Sequence, residues 1–550
     1  MKIQKLSWWR MVWRLLGMTR SLLKTLAVAI VAGSLGHIAA IAIPVLGAWS
    51  MVQVMNGDQP SLKNLAAAFI VLGLLRAALH YIEQLANHDM AFRILAVIRD
   101  RVFKALRRQA PAGLDQQNSG TLVSIITNDI ELLEVFYAHT ISPVAIAILV
   151  SGAMFAFLGS YHPAYALLAL VVYLILAIAV PVATARSGRV AGRQQRADLS
   201  RLNSILLDGF NGIRECIQFE QKNERKRLLI MGGQRLSRSV WQLQKTAWFN
   251  GSLSLAAVLL SYATFWALAV YLLSSGAVQW DGVIVPTVAF MSGFGPVLAL
   301  SNLANNLLLT FASGERVLQV LDAEPETPEV VGNKVDTFDK IALDKVFFSY
   351  EDKPILNGWQ LTLKPKEIVG LTGPSGCGKS TALKLLLRFY DPDRGHVRLN
   401  GLDLRKVDTA SLRCLESYMT QETYLFNDTL LENVRLANLC ATDEMVYEAC
   451  RKAGIHDVIC AFPEGYATQA GRLGTRLSAG ERQRIGLARA FLHQGAVALF
   501  DEPTANLDSL NEGIILKAIR ETSSERAVLI VSHRASTLRI ADRLVCVNNH

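Results

Sequence analysis

The sequence predicts a multidomain chain: an all-α membrane domain of six spanning helices, followed by an α/β domain. Three observations carry this reading. Six apolar spans, each near the roughly 20 residues a bilayer requires, fill the first three hundred residues. From Ile341 onward, short apolar strands alternate with helical stretches over about 210 residues. Within that second part, GPSGCGKST runs from Gly373 to Thr381, with Gly373, Gly378, Lys379 and Ser380 in register with G-x-x-x-x-G-K-[ST].

Composition agrees. A chain of 550 residues exceeds what one core fills. With 51% hydrophobic residues and a mean hydropathy of +0.28, it is too apolar for an ordinary soluble enzyme. The net charge of +10 raises the question of nucleic acid. However, the basic residues gather beside apolar runs, as in Arg99, Arg101, Lys104, Arg107 and Arg108, and again Arg186, Arg189, Arg193 and Arg196. That placement follows the positive-inside rule, so a bilayer is the expected partner and nucleic acid is not.

The elements follow in order. Residues 1–24 contain LSWWRMVWRLL, in which Trp8, Trp9 and Trp13 sit among Arg10 and Arg14, the pattern of an interfacial elbow helix rather than a cleavable signal peptide. The spans run approximately 25–49, 62–86, 137–159, 163–185, 250–275 and 283–310, within a membrane domain of 25–320. Spans three and four are joined by GSYHP, and five and six by SGAVQWDG, whose sole charge is Asp281. Segments 87–136 and 186–249 are long, charged and helical in period. The short loops are therefore expected outside, with both termini and the second domain in the cytosol of a multi-pass cell-membrane protein. The seven cysteines all fall on the cytosolic side and include no CxxC pair, which argues against disulfides or a zinc site. AEPETPEVVGNK marks a linker over 321–340, and the α/β domain occupies 341–550.

In that domain the glycines let the loop Gly373, Pro374, Ser375, Gly376, Cys377, Gly378 to Thr381 turn so that its successive N–H groups, all but the donorless Pro374, surround an anion. Lys379 adds a charge for the β- and γ-phosphates, and Ser380 can hold Mg²⁺. AVALFDEPTANLD delivers Asp501 and Glu502 at the end of an apolar strand, one placed to orient Mg²⁺ and the other to polarise water. LSAGERQRIGLARA, from Leu477 to Ala490, is a turn opening a basic helix. YMTQETYLF puts Gln421 after one strand, and LIVSHRAST puts His533 after another.

This ordered set resembles the nucleotide-binding domain of ATP-binding cassette (ABC) transporters, and with six preceding spans the chain resembles an exporter-type half-transporter, a type I (type IV) exporter fold ahead of a P-loop NTPase domain. The resemblance implies ATP and Mg²⁺ as cofactors and ATP hydrolysis coupled to transport. It implies that Tyr350 stacks on adenine, that the loop holds the phosphates, and that Gln421 senses Mg²⁺ alongside Ser380 and Asp501. Glu502 would be the general base and His533 would contact the γ-phosphate. Ser478, Ala479, Gly480 and Glu481 would reach ATP on a partner's loop, with Asp508 at the seam, so a second half-transporter subunit is implied. Pro111–Leu114 and Leu207–Phe210, midway in the long loops, would couple the domains. Three features depart from the family: LSGGQ is LSAGE, Arg472 stands where the family has Glu, and the chain ends at LVCVNNH, short of the family's usual last elements. The first of these favours unequal ATP sites and a heterodimer over a homodimer.

For the cargo, Arg76, His80, Glu83 and Asn87 share one helix face at i, i+4, i+7 and i+11. Ionisable groups in a span turn toward a bundle interior or wet cavity. His37 is a second midspan candidate, and Glu83 is the expected anionic partner of Arg76. The stretch from His80 to ELLEVFYAHTISP resembles subunits of the heterodimeric exporters required for cytochrome bd assembly, the CydC-like group. That resemblance implies a small anionic substrate, a thiol compound or haem, with His88 of ANHD at the position of a haem ligand. Homodimeric exporters of lipid, drug or peptide, siderophore importers of exporter fold, and an ATP-gated regulator are the other readings. Six spans exclude a soluble ABC ATPase.

Overall fold

The computed structural model describes residues 8–115, 119–350, 353–471, 474–505 and 507–547, some helical side chains excepted. Arg472 and the last three residues lie outside that set, as do the side chains of Trp8, Trp9, Arg186 and Arg189. The chain divides into two compact units: Met1–Ala105 with Asn118–Ala323, and Leu106–Gln117 with Glu324–His550.

The first unit is helical. Helix α1 (Trp8–Gly17) buries Met11 and Leu15 and leaves Trp13 70% exposed. Its Arg14 pairs with Asp322. Helices α2 (Leu23–Met55) and α3 (Leu62–Gln109) follow. At 48 residues, α3 is about 72 Å long, so the second span and the charged stretch after it form one helix. After two π-helical turns, Ile125–Asp129 and Tyr137–Ile141, come α4 (Ser142–Tyr161), α5 (Pro163–Leu174), α6 (Val180–Asn211) and α7 (Lys222–Ser274). The expected fourth span, 163–185, is apolar as a helix over Pro163–Ala179.

The expected sixth span, 283–310, is not continuous. It breaks between α8 (Asp281–Ser292) and α9 (Gly295–Asp322). Pro296 lacks a backbone donor, and a Cβ on Gly293 would lie 2.6 Å from the Tyr173 hydroxyl, so a larger residue there would have to displace that ring. A stack of rings, Tyr165 on Phe265 at 4.8 Å and Phe265 on Phe290 at 4.4 Å between centroids, fills the core of this unit. Asp129, almost fully buried, is neutralised by Arg316, whose Nε lies 2.6 Å from its Oδ2.

The second unit holds two sheets. Strands β1 (Ile341–Tyr350), β2 (Lys353–Leu363), β4 (Arg394–Leu399) and β5 (Leu402–Asp403) make an antiparallel sheet in the order β2-β1-β4-β5. Sequence reading did not anticipate this sheet. Strands β3 (Ile368–Thr372), β6 (Glu416–Met419), β7 (Val497–Asp501), β8 (Ala527–Val531) and β9 (Arg543–Cys546) make a parallel sheet in the order β6-β7-β8-β3-β9. β7 and β8 are buried at every residue, as the continuous apolar runs of a parallel sheet covered on both faces require. Ala112, 1% exposed, joins the core of this unit.

Candidate functional site

Parallel register brings distant motifs together. Leu371 and Asp501 both pair with Val531, and Met419 pairs with Phe500. Four loops therefore leave adjacent strands at one edge: Gly373–Gly378 after β3, Gln421 after β6, Glu502 after β7 and His533 after β8. Ligands of parallel α/β sheets bind outside such carboxyl ends.

The glycine loop turns into α10 (Lys379–Leu386). Gly373, Gly376 and Gly378 have φ of 149°, 80° and 104°, a region open to glycine. The space is equally tight: a Cβ on Gly373 would lie 2.7 Å from the Val547 carbonyl oxygen and 2.8 Å from Cys377 Sγ. Lys379 Nζ donates to the carbonyls of Gly373 and Pro374, both at 2.9 Å, so its charge is held over the loop. Cys377 is buried. Tyr350 is half-buried, edge-on to Phe348 and Tyr390.

Asp501 is 3% exposed. Burial pushes its carboxyl above the usual range, while a hydrogen bond from Ser380 draws it back. Its Oδ1 is buried without a hydrogen-bond partner. An orphaned carboxylate oxygen beside a serine hydroxyl fits a hydrated Mg²⁺, which takes one or two carboxylates and keeps several waters. Glu502 has φ 55°, uncommon for a residue with a Cβ. Its N–H donates to Val531 O at 2.9 Å. His533 Nδ1 hydrogen-bonds Glu502 Oε1 at 2.9 Å and lies 2.7 Å from Oε2. One residue here escaped sequence reading. Gln483, 2% exposed, donates from Nε2 to the Glu502 carbonyl at 2.6 Å. A buried amide on the helix after LSAGE was the available signal.

Ser478 is the N-cap of α11 (Ala479–His493), in which Gly480 is the second residue. Glu481 N donates to Ser478 Oγ at 3.3 Å, and Ser478 N donates to Glu481 Oε2 at 2.8 Å, a capping box. The charge that looks foreign in LSAGE is thus engaged with the helix start. Asp508 caps α12 (Ser509–Thr522) through the Asn511 N–H at 2.9 Å. Hydrogen bonds from Asn511 hold its carboxyl below the usual range.

In the first unit, His37 on α2 and Arg76, His80 and Glu83 on α3 line one cavity of about 400 Å³. Gly33 makes room, since a Cβ there would lie 2.9 Å from Glu83 Cδ. The expected Arg76–Glu83 pair does not form. Glu83 Oε2 lies 3.3 Å from His80 Nδ1, the closer neighbour one turn away, and among the described residues nothing pairs with Arg76. His88 is not in this lining. Its Nδ1 lies 3.3 Å from Glu134 Oε1.

Residues 356–505 match the family model described as ABC transporter, and 26–297 match that of the ABC transporter transmembrane region. A probable ABC transporter ATP-binding/permease protein of Haemophilus influenzae is 41% identical over 538 residues, 97% of either chain. An ATP-dependent lipid A-core flippase of Syntrophus aciditrophicus is 28% identical, over 89% of this chain and 82% of that one. The solved structure of a bacterial Atm1-family ABC exporter with ATP bound aligns with a TM-score of 0.85 at 21% identity, covering 96% of this chain and 94% of that one. At that identity the likeness is one of fold.

Proposed function

The chain belongs to the ABC transporters, with a transmembrane region and one ATP-binding domain fused in a single polypeptide, and on that premise we propose that it is half of a heterodimeric exporter of a small anionic compound. The observation that carries the ATP chemistry is the convergence of the glycine loop, Asp501, Glu502 and His533 on one sheet edge. Glu502 takes the proton of the attacking water, and His533, held by that carboxylate through Nδ1, offers its other nitrogen to the γ-phosphate. Lys379 exchanges the loop carbonyls for phosphate oxygens. Ser380, Asp501 and Gln421 would hold Mg²⁺, which would neutralise phosphate charge. Tyr350 stacks on adenine. Ser478, Ala479 and Gly480 complete the partner's ATP site, with Glu481 setting the helix that presents them and Asp508 at the seam. The protein sits in the cell membrane, with both termini and the ATP-binding domain in the cytosol.

Exporters of this family work as dimers in a membrane. In line with that, the most apolar window of α3 is not buried by this chain at all. A partner distinct from this chain is favoured by Ala479, which adds a methyl where the family has glycine. Pro111–Leu114 and Leu207–Phe210 are the coupling segments: the first belongs to the compact unit of the ATP-binding domain, and Leu207 and Phe210 are 61% and 68% exposed. The cargo meets His37, Arg76, His80 and Glu83. A thiol compound suits that charge best. Haem has only its propionates in favour, because His88 faces Glu134.

The test is transport of labelled thiols and haem into proteoliposomes, by this chain alone and with a related half-transporter, beside Glu502→Gln. That variant should bind ATP and lose about 10²–10⁴-fold in turnover. Near-normal hydrolysis by Glu502→Gln with its partner's equivalent also changed would remove the general-base assignment. Full substrate-stimulated ATPase by this chain alone would make it a homodimer.

A further inference from the structure

Beyond transport, we propose that His88, Glu134 and His139 form a binding site for a divalent d-block metal ion, Zn²⁺ foremost. Among the described residues this is the one place where three ligand groups of metal-binding type gather, with all three ligand atoms within 4.8 Å of one another. His88 Nδ1 is already 3.3 Å from Glu134 Oε1, and the rings of His88 and His139 are 5.4 Å apart and nearly perpendicular, at 75°.

Local backbone geometry creates the gathering. Glu134 and His139 are five residues apart, which on a regular α-helix separates them by about 140° around the axis. Tyr137–Ile141 is instead a π-turn, wider than an α-turn, which brings the two side chains onto a common face toward His88 on α3. π-turns of this kind recur at functional sites. A five-residue spacing falls on no common face of a regular α-helix, so Glu134 and His139 do not stand out as a pair in the sequence.

The donor set selects the ion. Two imidazoles and one carboxylate suit Zn²⁺ and its neighbours, whereas Mg²⁺ and Ca²⁺ want oxygen throughout. Bonds of about 2.0–2.2 Å to a tetrahedral ion put ligand atoms roughly 3.3 Å apart, so the widest pair closes by about 1.5 Å, within side-chain reach. The groups are accessible: His88 and Glu134 side chains are 38% and 30% exposed. His139 also lines a cavity of about 360 Å³ with His37, His80 and Glu83, which supplies an entry path. Three protein ligands leave a fourth position open to water or to a donor atom of a passing molecule.

The experiment uses the full chain, without a histidine tag, purified in detergent and stripped of metal. Zn²⁺ is titrated against a chromophoric chelator, and Co²⁺ is followed by its visible spectrum. One Zn²⁺ per chain should bind, raise the melting temperature, and weaken at least about tenfold in His88→Ala, Glu134→Gln and His139→Ala, since even an outer-shell loss costs that much. His456→Ala, near Cys460 in the other unit, should change nothing. Should an alanine variant not fold, His139→Cys decides: a new thiolate–cobalt band relative to the parent places the ion at position 139. No 1:1 binding by the parent, parent-like binding by all three variants, or no new band in His139→Cys would overturn the site.

Discussion

Glu502 sits at φ 55°, a conformation that costs of order 1–3 kcal/mol for a side-chain-bearing residue and persists because its surroundings fix it. The Gln483 amide is one of those constraints. Gln483→Ala leaves the Glu502 carbonyl only the longer bond from the Ala505 N–H, at 3.3 Å, a loss of about 0.5–1.5 kcal/mol, and loosens the carboxylate that the proposed function makes the general base. The expected result is a kcat lowered about tenfold or more with KM for ATP within a few-fold of the parent. A merely structural amide would lower stability and leave that split unmoved. The neighbouring Asp501 carries a pH prediction. Burial raises its pKa and Mg²⁺ needs the ionised form, so acidification protonates it while the pH is still above the ordinary aspartate range. Mg²⁺-dependent hydrolysis should therefore fall on the acid side, and Ser380→Ala, which removes the bond that lowers this pKa, should move that acid limb to higher pH. Residue types at these positions were legible in the sequence because phosphate chemistry demands them. Gln483 was not, because a glutamine in a helix carries no motif until its carbonyl partner, nineteen residues on, is in place.

At the scale of elements, β3, β7 and β8 were legible as continuous apolar runs, and the motifs at their ends as loops. What joins them is register, which a single sequence does not print. The antiparallel sheet was hidden for a different reason. β1 shifts register three times against β2, between Leu343 and Ser349, so its side chains do not keep the period-2 alternation that marks a strand. The sixth span was legible as an apolar segment, but composition reports apolarity, not the short interruption between Ser292 and Gly295. The helix after LSAGE yields a prediction. With Glu481 closing a capping box, Glu481→Gln preserves the reciprocal hydrogen bonds and should hydrolyse ATP at least as well as the parent. Glu481→Ala loses the return bond to Ser478 N, costing about 0.5–2 kcal/mol if it matches the loss of a cap, and should lower both the melting temperature and partner-dependent hydrolysis. If Glu481→Gln instead destabilises the helix as much as alanine does, the carboxylate has a role beyond the cap.

For the whole molecule, six apolar segments predict a membrane domain, but a span's inward face is decided by neighbours that one chain does not fully supply. α3 shows this. Its apolar window is uncovered, yet the same helix brings Arg76, His80 and Glu83 to a cavity with His37. Arg76 has no acidic partner among the described residues, and an unpaired guanidinium at membrane depth costs at least about 2.5 kcal/mol. Glu83, the partner expected from spacing alone, is taken by His80 at 3.3 Å. On the proposed function, the missing anion is the cargo's own. A charge-assisted hydrogen bond from arginine is worth about 1.5–3 kcal/mol, and each 1.4 kcal/mol is tenfold in affinity. Arg76→Ala should raise the substrate concentration for half-maximal ATPase stimulation about tenfold or more. Arg76→Lys should recover part of that loss, and an uncharged analogue of the substrate should respond equally to parent and variant. Failure of Arg76→Ala to insert, with Arg76→Lys inserting normally, would assign the charge to membrane topology. Unchanged half-stimulation by every anionic candidate would take Arg76 out of the cargo's path.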